Sequence, residues 1–181
     1  MKNLYIIILG IFALLLLASY YVVFNVLQPF DSYVNHPFWF GISPSVVKVI
    51  TVFQMLGVIG IILFSSVIFD HPKTGVLKNN LFGVLLVFLI SSIVWPFATY
   101  YNYSIMSICS VHVTSICSLL LLAGTIQNKS AKWNHVLGAL LICIVTVLCD
   151  GVLWNSNYIY NYVSENKHLK IPKWIINKKK M

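Results

Sequence analysis

The chain has 181 residues, 59% of them hydrophobic and only 9% charged, where a soluble domain carries about 25% charged residues. So few charges cannot clothe a water-exposed surface, and lipid is therefore the expected solvent for most of the chain. The net charge of +8 comes entirely from lysine. Half of those lysines (Lys167, Lys170, Lys173, Lys178, Lys179 and Lys180) lie in the last fifteen residues. No basic fold face or binding motif accompanies them, so nucleic acid is not an expected partner. A tail touching water or lipid headgroups is the plainer account.

A bilayer core about 30 Å thick needs about 20 apolar residues in a helix. Backbone groups in lipid must bond internally, so the spans are helices. The first expected span is Leu4 to Leu27. Its apolar run exceeds the roughly 7–15 residues of a signal-peptide core, so it reads as an uncleaved span. "QPFDSYVNHPFWFGISPS", Gln28 to Ser45, holds three prolines and a glycine and reads as a loop. Its Phe30, Tyr33, Phe38, Trp39 and Phe40 suit the headgroup region. Ser45 to Phe69 is the second span, closed by "DHPKTG". Leu81 to Tyr100 is the third, with Pro96 expected to kink it or end it early. "YYNY", Tyr100 to Tyr103, is a tight link, making the third and fourth spans antiparallel neighbours. Ser104 to Thr125 is the fourth span, "QNKSAKW" a link, and Asn134 to Trp154 the fifth.

The expected fold is therefore all-α: a polytopic transmembrane bundle of five spans within residues 1–166, followed by a basic, disordered tail over 167–181. Five spans put the chain ends on opposite sides. The short loops argue for a cytoplasmic N-terminus and the lysine tail argues the reverse. The terminal "KKKM" resembles the dilysine retrieval signal of endoplasmic-reticulum membrane proteins, which works only on a cytoplasmic tail. That resemblance rests on four residues and implies an endoplasmic-reticulum location. The sequons at Asn102 and Asn128 fall in loops on opposite sides.

The fourth span carries "SICSVHVTSICS", Ser107 to Ser118, where leucine and isoleucine are expected. On a helical wheel Ser107, Ser110, Thr114, Cys117 and Ser118 form one stripe about 100° wide. Small residues at this spacing let two helix backbones approach closely, so the stripe reads as a helix-packing face. His112 points nearly opposite, and a histidine facing lipid is costly. It should face another helix or a wet cavity. Asp150, in the fifth span, reaches a similar level. Lys48 and Gln54 enter the second span from the same side. Lys48, Gln54, His112 and Asp150 thus outline a polar vestibule open to one face, in which Asp150 pairs with His112 or Lys48.

His112 and Asp150 could form a base and its orienting carboxylate, with Ser115 or Cys149 as nucleophile. No catalytic motif accompanies them. Cys109, His112 and Asp150 are scattered too widely for a metal site, and the four cysteines form no CxxC pair. Neither metal nor cofactor is expected. The expectation is a non-enzymatic membrane component that packs with itself or with other membrane proteins. The alternative is a small transporter or lipid-binding protein that uses the vestibule. An intramembrane enzyme stands third. Clustering of the four vestibule residues around one cavity would favour the latter two, and dispersed, satisfied polar groups the first.

Overall fold

The computed structural model describes residues 2–27, 37–39, 42–70 and 73–164. The loop aromatics Phe30, Tyr33 and Phe40 and the basic tail over 167–181 lie outside them. The fold is all-α, with no strand among the described residues. Helix α1 (Lys2–Tyr21) continues as a π-helical stretch, Val22–Leu27. A single 3₁₀ turn, Pro37–Trp39, precedes α2 (Pro44–Asp70). Then come α3 (Leu77–Tyr100) and α4 (Ser104–Gln127). Helix α5 (Trp133–Cys143) runs on through a π-helical segment, Ile144–Trp154, into α6 (Asn155–Ser164).

Among the described residues, five helical stretches are long and apolar enough to cross a bilayer: Leu4–Leu27, Pro44–Val67, Leu77–Tyr100, Ser104–Gln127 and Trp133–Ile159. These are the five expected spans, with two ends shifted by more than two residues. The third begins at Leu77, because the 77–80 turn stacks Leu77 into the core beside Gly124. The fifth passes Trp154, because Asn155 and Asn157 stay helical and spend their amides on His112 and on the Leu153 carbonyl. Pro96 does not end α3, which runs on to Tyr100 with Pro96 buried.

Packing follows from where the small residues lie. Helix α3 packs along α4, and the two are joined by a turn whose Asn102 takes a left-handed φ of 58°. This is a conformation that asparagine tolerates better than most residues. Helix α2 packs against α5, where a Cβ on Gly138 would lie 2.6 Å from the Phe64 nitrogen and 2.7 Å from the Gly60 carbonyl oxygen. Two glycines thus let two backbones touch. Helix α1 leans on α3, and α4 contacts both α5 and the π segment. The row therefore reads α1, α3, α4, α5, α2. Helices α1 and α2 are consecutive in sequence yet stand at its two ends. The row curls, and its ends face each other across a gap.

The two ends of the bundle differ. At one, the α2–α3 and α4–α5 links are clasped together. Asn128 Oδ1 accepts from the Lys73 and Ser130 backbone N–H groups and from the Ser130 hydroxyl, at 3.2, 3.3 and 2.9 Å. Thr74 donates to the Gln127 carbonyl at 2.9 Å and accepts from the Lys129 N–H at 3.0 Å. The other end is closed by stacked aromatics. The Trp95 and Trp154 rings meet edge to face at 5.1 Å, Trp154 stacks on Tyr158 at 4.6 Å, and Phe38 lies 5.3 Å from Trp95. Phe38 and Trp39, expected at the headgroups, are buried in this cluster.

Candidate functional site

The gap between α1 and α2 is the mouth of a cavity of about 290 Å³. All five spans line it: Leu16, Leu17 and Tyr20 from α1, Gln54 to Ile61 from α2, Ser92 and Trp95 from α3, Thr114 from α4, and Val145, Thr146 and Asp150 from the π segment. Leu17 and Met55 at the mouth are 67% and 61% exposed, so it opens sideways, toward lipid, and not toward either end. The surface it presents is almost wholly apolar, although Gln54, Ser92, Thr114, Thr146 and Asp150 stand in the lining. The volume sits at the lower end of the range for small-molecule sites.

Asp150 is the exception in that wall. It lies nine residues before the end of the fifth span at Ile159, well inside that span. Its Oδ1 is buried without a hydrogen-bond partner. No ion pair reaches the carboxylate from any described residue. The hydroxyls that share the cavity are all committed. Ser92 donates to the Phe88 carbonyl at 2.7 Å, Thr114 is bonded to Ser110 O and Ser91, and Thr146 to Ser118 and Ile142 O. Tyr20 and Gln54 are engaged as well.

Helix α4 sets the position of this acid. Ser115 donates to the Thr146 carbonyl at 2.8 Å, and Thr146 donates to Ser118 Oγ at 2.6 Å. Gly151 leaves the room this needs, since a Cβ there would sit 3.0 Å from Ser115 Oγ. The π segment has i→i+5 bonds and a wider turn, a form that is rare and recurs at functional sites. Ser115 and Ser118 pin its first turn, and Asp150 projects from the next.

The vestibule drawn from the sequence is therefore only half assembled. Gln54 and Asp150 share the cavity, whereas Lys48 and His112 are exposed and outside its lining. The expected pairing of Asp150 with His112 or Lys48 does not form. His112 Nε2 instead lies 3.1 Å from the Asn155 amide, because the fifth helix runs on past Trp154 and brings Asn155 to that level. His112 does not face a wet cavity. It is exposed, with one ring nitrogen tied to a neighbour.

Of the small-residue stripe, Ser107, Ser110, Thr114, Cys117 and Ser118 are all buried. Ser107 Oγ is 2.7 Å from Thr99 Oγ1, and Thr114 Oγ1 is 2.8 Å from Ser91 Oγ, both on α3. Ser118 faces the π segment instead. Ser115, which the wheel groups with His112, is buried on that second face.

A second pocket, of about 200 Å³, lies at the clasped end. There Asp70 Oδ2 is 2.8 Å from Lys132 Nζ and 3.4 Å from His135 Nε2. The histidine contact is within ion-pair range but outside hydrogen-bond geometry. His135 Nδ1 accepts the Lys132 N–H at 3.4 Å. Its polar groups mostly serve the clasp. Sequence reasoning passed over His135 and Asp70, whose only signal was a histidine and an acid at facing span ends. Among the described residues no group of three or more His, Cys, Asp or Glu side chains could hold a metal.

Fold and cleft define the class: a small, multi-pass helical membrane bundle with a lateral cavity. Comparison with protein-family models, curated proteins and solved structures returns no match to this chain.

Proposed function

We propose that this protein is a non-enzymatic membrane component that holds an amphiphile from the surrounding lipid in the cleft between α1 and α2. One observation carries the reading. Five spans that could close on one another instead surround a shared apolar cavity whose mouth faces lipid. Apolar walls with very few polar groups are the usual make-up of a small-molecule site. The polarity is one-sided. The half of the bundle below the cavity is packed with Leu9, Phe64, Leu77 and Leu121, which offer no polar path through the membrane. That supports holding over transport. Association with itself or with other membrane proteins has less support, since exposed apolar side chains are spread over all five spans, as lipid contact requires, and mark out no single patch.

Photolabelling with an alkyl chain bearing a diazirine tests this. In bilayer discs, label should concentrate at Leu16, Met55 and Val58 relative to Leu4 and Ile126, which are 57% and 66% exposed but lie outside the cleft. Uniform labelling of all exposed apolar positions would sink the reading.

A further inference from the structure

Resting on that cleft reading, we propose that its occupant is an apolar-bodied amphiphile whose head donates a hydrogen bond to Asp150, a hydroxyl or an amine. The walls would select for the apolar body and the acid for the head.

The argument is one of elimination inside the cavity. The hydroxyls and the amide that share it with Asp150 are already bonded or engaged, and the one other unmet group in the lining, Trp95 Nε1–H, makes no hydrogen bond to the acid. Asp150 alone has an acceptor that nothing in the protein meets. An unmet polar group in low dielectric is costly, and a hydrogen bond from an occupant removes that cost. Asp150 lines the cavity and only Oδ1 is fully buried, so it is the other oxygen of the carboxyl group that an occupant's head meets. The backbone around it is held in place by Ser115 and Ser118, so the acid cannot leave the wall to seek water. Neither Lys48 nor His112 stands in as a partner. A donor must then come from outside the protein, and the cavity's mouth faces lipid.

An acceptor-only head would leave the acid as it is. A carboxylate head would bring an uncompensated anion into a dry wall. Both are disfavoured on the same grounds.

The test uses the full-length protein in bilayer discs, with the diazirine alkyl probe as reporter. Four competitors share one alkyl chain and differ in head: a primary alcohol, a primary amine, a methyl ether and a carboxylic acid. The alcohol, the amine or both should displace the probe at about tenfold lower mole fraction than the ether, with the acid weaker still. Which of the two leads identifies the source of the donor. In Asp150→Leu that preference should vanish while the chain still competes. Asp150→Ala, which also removes the acceptor, gives the same comparison should the leucine variant not fold, and Asp150→Asn, which keeps a carbonyl acceptor, should shrink the preference of the amine most.

Equal competition by all four heads on the native protein would overturn the proposal and leave the cleft reading standing, with Asp150 solvated by water. A donor preference that survives in the leucine or the alanine variant would also overturn it. Failure of the probe to concentrate in the cleft at all would remove the cleft reading, and this proposal with it.

Discussion

Ser118 and Thr146 show what single residues contribute here. Their hydroxyls meet at 2.6 Å between two helices, yet such bonds in membranes average only about 0.6 kcal/mol, because the unfolded chain also finds partners there. Ser118→Ala should therefore lower stability by about 0.6 kcal/mol, and by no more than about 2. Reversible unfolding in mixed micelles checks this, and a much larger loss would mean that the serine does more than bond Thr146. That buried hydroxyls crowd the fourth span was legible from "SICSVHVTSICS". Which helix each one meets was not, because a wheel gives the face of one helix and says nothing of its neighbours. The same limit explains Asp150. That it lies inside the fifth span could be read, but not how far inside, because the helix runs past Trp154 to Ile159. The partner assigned to it was wrong, since the continuation of the helix past Trp154 delivers Asn155 to His112.

At the scale of elements, the crossing of α2 and α5 outweighs any one hydroxyl. A methyl group on Gly138 would collide with backbone atoms of α2, which cannot swing aside as a side chain can. Gly138→Ala should cost about 1–3 kcal/mol, the usual range for overpacking. Gly83 is also helical, but a Cβ there meets nothing within 4 Å, so Gly83→Ala should be neutral or stabilise by up to about 1 kcal/mol. Thermal stability of the two alanine variants in one detergent decides the matter, and equal shifts would contradict the crossing. The sequence announces both glycines without ranking them, because their difference lies in what stands opposite. Likewise nothing in "IVTVLCDGVLW" signals a π-helix. Apolar periodicity fixes that a segment is helical, while the choice between i→i+4 and i→i+5 bonds is settled by packing against α4.

For the whole molecule, five apolar runs separated by turn residues were enough to give the spans, since lipid leaves a helix little freedom of length. The order of the helices was beyond reach. Short links made α3 and α4 neighbours, as expected, but the loop between α1 and α2 is long enough to place them at opposite ends of the row. The alternation of the spans predicts which positions share a side. Single cysteines placed at Ser43 and Tyr103 should react together with an impermeant thiol reagent in sealed vesicles, and those at Lys73 and Lys129 only from the other side. Any mixture across the two pairs would mean that a span has been miscounted. The sideways mouth of the cleft has one more consequence. An occupant arrives by diffusing within the plane of the membrane, so its supply is set by its surface density there. Adding inert phospholipid at fixed protein and fixed occupant should empty the cleft by simple dilution, although the surrounding water is unchanged.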